Sequence, residues 1–144
     1  MTKEELVLAV LAAADGQALQ PVQLQKAVFL LVRNIPADIR GEADFDFSPY
    51  DYGPYDKAVY HQADNLALSG LVSVSTSSVG RYRLYAATLV GVQEGRRILT
   101  TLPSNISEYI GNVVRWVCTL SFADLVKSIY EAYPEMKANS IFRG

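Results

Sequence analysis

Apolar residues recur at helical spacing along most of this chain. Val7, Val10, Leu11 and Ala14 share one stripe within residues 3–14, which predicts a first helix ended by Asp15-Gly16. Pro21 suits the opening turn of a second helix. There Val22, Leu24 and residues 27–32 are apolar nearly all round, the pattern expected of the central core element. Residues 34–41 read as a loop, and the Phe45-Asp46-Phe47 alternation as a short strand or an extended segment.

A third helix is predicted over residues 54–69. Gly53 would be its N-cap, Pro54 its first helical residue and Asp56 a charge complementing the helix dipole. Gly70 stands where a left-handed residue closes a helix, with Leu71 reaching back to Leu66. At 100° per residue, Tyr55, Val59, Gln62, Ala63 and Leu66 form a core face, whereas Lys57, Tyr60, His61, Asp64 and Leu68 form an outward face. Residues 71–75 and 81–85 alternate with period two around a polar tip at 76–80, which predicts a β-hairpin. Thr88 can cap a helix running to Leu99, and Pro103 breaks the pattern beyond it. Ile106, Ile110, Val113, Trp116 and Val117 stripe a further helix, as do Phe122, Leu125, Val126, Ile129 and Tyr133. Between these two, Ser121 and Asp124 have capping-box-like spacing, with Leu120 and Leu125 placed as a hydrophobic staple.

Three helices, a hairpin and another helix make the order of a winged helix-turn-helix, with residues 54–69 in the recognition-helix position and 76–80 at the wing tip. The expected fold class is therefore α+β and mostly helical, with a winged-helix-like core, a β-hairpin wing and extra C-terminal helices. A generic α+β domain is the plainer alternative. No internal repeat or low-complexity segment divides the 144 residues, so a single domain over residues 1–144 is expected.

Charge changes the picture next. Thirteen basic and fifteen acidic side chains give a net charge of -2, so nucleic-acid binding would need a local basic patch rather than the bulk field. The single cysteine, Cys118, forms no internal disulfide, and the N-terminal residues lack the pattern of a secretion signal; both fit a reducing cytoplasm. No apolar run approaches the ~18–20 residues that span a bilayer, so no membrane partner is expected.

Two short motifs carry a resemblance. Gln23-Leu24-Gln25-Lys26 leads into the apolar run 27–32, and Tyr52-Gly53-Pro54-Tyr55 precedes a predicted helix. This combination resembles the Panacea (SocA-like) antitoxin and adaptor domain. The whole layout, with Tyr133-Pro134-Glu135 and Asn139-Ser140 near the end, is similar to small bacterial proteins of the YwgA type. The resemblance implies a bacterial or phage-associated protein that binds another protein, such as a toxin or a regulatory protein, without enzymatic activity. It also marks Leu24, Gln25, Lys26, Gly53 and Pro54 as the structural motif.

The side chains that could carry chemistry are sparse. A nucleophilic couple would have to join Cys118 to His61, and these fall on different predicted elements. Asp44, Asp46, Asp51 and Asp56 cluster without the spacing of a cation loop, and a zinc site would need more Cys or His than the chain has. Gly91 and Gly95 lie inside a helix without the lysine of a phosphate loop. No catalytic residue, metal or cofactor is assigned on these grounds. Tyr50, Tyr52, Tyr60 and His61 are the candidates for partner contact, because rigid amphipathic aromatics dominate protein interfaces. Lys57, Arg81, Arg83, Arg96 and Arg97 are the candidates for a DNA-binding face, the second expectation being a winged-helix transcriptional regulator. Asp56 and Asp64 beside that face count against it. The apolar stripes of the last helices leave room for a homodimer, the commonest form of self-association.

Overall fold

Thr2 and Glu5 open the first helix, α1 (Lys3–Ala13), with a reciprocal cap: the Glu5 amide donates to Thr2 Oγ1 at 3.1 Å and the Thr2 amide to Glu5 Oε1 at 2.9 Å. The helix ends where Asp15 and Gly16 take left-handed φ values of 53° and 89°. A computed structural model describes residues 1–142. Every residue of α1 from Leu6 to Ala12 is buried, so this helix shares the centre of the molecule with α2 (Pro21–Asn34), where the sequence pattern points to α2 alone. The reason lies in its neighbours: α2 is joined by α4 (Ala58–Leu68), α5 (Leu89–Thr100) and α6 (Ser104–Thr119), all packed against α1.

Residues 34–41 hold a short helix, α3 (Ala37–Arg40), rather than a continuous loop; Pro36 presets its start, and the Arg40 and Gly41 amides return to the Pro36 and Ala37 carbonyls. Phe45 and Phe47 follow as an extended, unpaired segment that packs near Phe29, with Phe29 and Phe47 edge to face at 5.3 Å. A small hairpin comes next, β1 (Ser48–Tyr50) against β2 (Gly53–Tyr55), joined through Asp51 and Tyr52.

This hairpin corrects the expected start of the third helix. Gly53 and Pro54 are strand residues, and α4 begins only at Ala58. Gly53, paired with Tyr50 at the exit of the tight turn, has a φ of 108°, a value glycine reaches readily and a helix N-cap does not use. Pro49 and Pro54 face each other, so their missing N–H groups coincide at a position of the ladder that needs no hydrogen bond. Asp56 takes over the capping role, its carboxylate accepting from the Ala58 amide at 2.9 Å and from the Asp46 amide at 2.7 Å.

The other end of α4 matches the sequence pattern. Gly70 is left-handed at φ 78°, and the Leu71 and Gly70 amides donate to the Leu66 and Ala67 carbonyls in the Schellman pattern. The second hairpin pairs β3 (Val72–Thr76) with β4 (Arg83–Ala87), and Leu19, between α1 and α2, adds a bridge to Tyr85 on the open edge of β4. Thr88 caps α5 through the Gly91 amide, and Ser121 caps α7 (Phe122–Ala132) through the Asp124 amide. A 3-10 turn, Pro134–Lys137, leads to a C-terminal segment that returns to the first hairpin. Asn139 donates to the Pro49 carbonyl, and the Ile141 amide and Ser140 hydroxyl donate to the Asp51 carbonyl. The described residues are thus α+β and mostly helical, with two small antiparallel hairpins, and no described helix is long and apolar enough to cross a membrane.

Close helix packing sets one test of this architecture. A Cβ on Gly91 would lie 1.8 Å from the Leu71 carbonyl oxygen, and one on Gly95 would lie 2.2 Å from Ala12 Cβ on α1. On α6, a Cβ on Gly111 would meet only the far end of the Arg115 side chain. Gly95→Ala should therefore cost about 1–3 kcal/mol through overpacking, whereas Gly111→Ala should gain about 0.5–1 kcal/mol of helix propensity. A urea unfolding midpoint for Gly95→Ala that matches or exceeds the wild type's would contradict the α1–α5 contact, and one for Gly111→Ala that falls would contradict the open surroundings of Gly111.

Candidate functional site

Gln25 and Lys26 lie in the middle of α2, yet both are buried. A helix that is apolar on nearly every side must bury whatever polar residues it contains, and these must find partners. Gln25 does so by a reciprocal pair: its Nε2 donates to the Asp56 carbonyl at 2.9 Å, and its Oε1 accepts from the Asp56 amide at 3.1 Å. Lys26 Nζ donates to the Pro54 carbonyl at a longer 3.4 Å. Together they pin β2 and the turn into α4 against α2. Gly53 completes the fit, since a Cβ there would sit 3.3 Å from Lys26 Cε and 3.4 Å from the Tyr130 ring. The motif residues Leu24, Gln25, Lys26, Gly53 and Pro54 are all buried and form one packed unit.

Beside this unit opens a cavity of about 570 Å³. Gln20, Pro21, Val22, Gln25 and Lys26 form its α2 wall, the first hairpin from Tyr50 to Tyr55 forms another, and Tyr60, Tyr82 and Phe122 close it. The aromatic rings are in contact: Tyr50 stacks on Tyr55 at 4.8 Å, Tyr55 meets Tyr60 at 6.0 Å, and Tyr52 meets Phe122 edge to face at 5.1 Å. Tyr60 also stacks on Tyr85 at 5.9 Å. Tyr50 and Tyr52, at 53% and 41% exposure, present large apolar faces at the mouth.

Three of the four expected contact residues, Tyr50, Tyr52 and Tyr60, therefore line one cavity, while His61 stands exposed on α4 and outside its lining. The helical pattern puts Tyr60 on an outward face, but it is half-buried between Tyr55 and Tyr85; burial pushes its phenol well above the usual range, opposed in part by the nearby Gln25 amide. Tyr55, which the same pattern puts on the core face of that helix, lies on β2 instead. Tyr82, Phe122 and Lys26 complete the cavity, and no sequence pattern groups them with it. The embedded Gln25-Lys26 pair is the signal that could have found it, because polar residues inside an all-round apolar helix must face something.

The basic candidates are dispersed and mostly matched with acids. Arg83 on β4 pairs with Asp64 on α4 at 3.1 Å, Arg96 with Asp15 at 2.8 Å, and Arg97 with Glu94 at 2.7 Å. Lys57 and Arg81 are exposed, and Arg81 precedes β4 rather than lying on it, so it does not share a strand face with Arg83. Cys118 is half-buried on α6, where burial raises its thiol pKa. Among the described residues no three His, Cys, Asp or Glu side chains gather as a metal-holding group. No protein-family model, curated protein or solved structure matches the chain.

Lys26 is the electrostatic anomaly of the site. It is 3% exposed, and among the described residues no carboxylate forms an ion pair with it; desolvation lowers its ammonium to about 7. The unfolded chain holds that proton to about pH 10.4, so over the window between these values the unfolded state binds more protons and stability rises with pH. Relative to Lys26→Met, the wild type should gain up to about 1.4 kcal/mol per pH unit between about pH 7 and pH 9. Urea titrations of both proteins across that window test this; parallel stability curves would mean the ammonium is solvated.

Proposed function

We propose that this chain is a non-enzymatic, protein-binding domain of the antitoxin or adaptor kind, which receives its partner at the tyrosine-lined cavity. The observation that carries the reading is the convergence of Tyr50, Tyr52, Tyr55, Tyr60, Tyr82 and Phe122, from four separate stretches of chain, around one opening. Tyrosine offers a large amphipathic surface at small conformational cost and is enriched where interfaces concentrate their energy. The hairpin that presents Tyr50 and Tyr52 is fastened on two sides, by α2 and by Asn139, Ser140 and Ile141, so these rings are held before any partner arrives.

A winged-helix-like core would accommodate the reading, and the order of α1, α2 and α4 before the β3–β4 hairpin, with the Leu19 bridge at its edge, supports it. Within such a core the DNA-reading alternative leans on Lys57 and Arg81, because Arg83, Arg96 and Arg97 already face carboxylates. The partner reading draws on more of the surface that the fold brings together. The resemblance to Panacea-like antitoxins points the same way, toward a toxin or regulatory protein in a bacterial cytoplasm.

A tagged wild-type protein should retain a stoichiometric protein partner from its native cell after nuclease treatment, and Tyr50→Ala/Tyr52→Ala should lose it. Both side chains are partly exposed and their rings pack on Tyr55 and Phe122, so the double variant should keep the wild-type circular dichroism spectrum while its urea midpoint falls modestly. Recovery of specific DNA would instead favour the regulator, and recovery of the chain alone, running as a dimer, would favour self-association.

A further inference from the structure

An ammonium group taken out of water normally faces a carboxylate or spends all its N–H donors on good acceptors. Lys26 does neither: among the described residues its one acceptor is the Pro54 carbonyl, at 3.4 Å. The same side chain lines the cavity, whose other described lining residues are mostly aromatic, proline and aliphatic, with Gln20, Gln25 and Asp51 as the remaining polar ones. We propose that the cavity is a carboxylate-binding site, in which a single carboxylate accepts from Lys26 Nζ while the flat apolar group attached to it packs among Tyr50, Tyr52, Tyr55 and Tyr60.

The lining selects this chemistry. Its volume of about 570 Å³ falls within the range of sites that enclose small ligands or one or two side chains. Among the described residues Lys26 is the only cationic lining residue and Asp51, on the hairpin turn, the only acidic one, so this lining has one charge to offer an anion and one that repels a second. A phosphate dianion calls for a guanidinium fork or several free amides; among the described residues the lining has no arginine, and its Gln20 and Gln25 carboxamides already bond Tyr82 and Asp56. A monoanion with an aromatic or branched body matches both the single ammonium and the ring-lined walls. Binding also removes the cost of the buried, unpaired charge, so the ligand takes the place of the missing carboxylate partner.

Two sources supply that chemistry: a free aromatic acid, or a protein partner ending in an aromatic residue with its free α-carboxylate. The proposal rests on the cavity being the binding face named above. Calorimetric titrations would compare 3-phenylpropionate with its amide, and a short peptide ending in free-acid phenylalanine with the C-terminally amidated peptide. In the wild type at about pH 6, one acid should bind about tenfold or more tightly than its amide, and the pair that shows the preference identifies the source. Because the ammonium lies near pH 7, that affinity should fall about tenfold between about pH 6 and pH 8, with a further tenfold by about pH 9.

Lys26→Met should fold and bind acid and amide within about twofold of each other, since charge-assisted bonding is what separates them. The pH series on the wild type needs no variant and keeps the test decisive if the substitution disturbs folding. Equal affinity for acid and amide, an acid affinity indifferent to pH over this range, or no binding by any of the four probes would overturn the proposal. A protein partner lost by Tyr50→Ala/Tyr52→Ala but retained by Lys26→Met would preserve the partner reading and overturn this one.

Discussion

The Gln25–Asp56 pair is the constraint on which the site depends. Two reciprocal hydrogen bonds join a side chain inside α2 to the backbone of the turn that separates β2 from α4. Either amide group left alone in this environment would cost about 1–3 kcal/mol, so the turn stays where both are satisfied. That one position sets the direction of β2, the start of α4 and the distance between Tyr55 and Tyr60. Asp56 extends the constraint outward, because its carboxylate both caps α4 and holds the Asp46 amide. One residue therefore joins α2, the extended 45–47 segment, the first hairpin and α4.

Lys26, one residue along the same helix, has the opposite energetic character. Its stem packs against Gly53 and so fixes the hairpin by shape, but its charge is held out of water with a single distant acceptor. A methionine would fill the same volume without the desolvation cost. The protein thus carries a destabilising group in the lining of a largely aromatic cavity. That coincidence, rather than the depressed ammonium pKa, makes the residue informative. Tyr130 on the far side of Gly53 adds to it, since its hydroxyl is buried with no hydrogen-bond partner among the described residues.

Much of the fold was legible in the sequence because it is encoded locally. Thr88 and Ser121 announce their helices, Gly70-Leu71 closes α4 in the expected geometry, and the period-two alternation around residues 76–80 marks the second hairpin. The features that sequence patterns misplace depend on contacts distant along the chain. Gly53-Pro54 is as suitable for starting a helix as for leaving a tight turn, and the choice is made by Lys26, Tyr130 and the C-terminal segment. The central place of α1 was hidden for a similar reason: its small side chain at Ala12 matters only once α5 brings Gly95 against it and the Leu8 carbonyl. The chemistry of Lys26 was equally hidden, as lysine is among the residues least often buried and its sequence neighbours do not reveal the cavity.

The shifted helix start also moves the candidate binding face. Had α4 begun at Pro54, Tyr60 and His61 would have projected from one outward surface, as on a recognition helix. With β2 occupying residues 53–55, Tyr60 turns toward Tyr55 and Tyr85, and His61 is left outside. The concave surface so formed draws on the start of α2, the first hairpin, α4, the residue preceding β4 and the first residue of α7. Residues 50–55 and Tyr60 lie close in sequence and mark part of this face, whereas the start of α2, Tyr82 and Phe122 join it only in the fold. Its aromatic character is complete only after the Gln25–Asp56 and Lys26–Pro54 contacts have drawn α2, the first hairpin and α4 together and Tyr82 and Phe122 have closed on them.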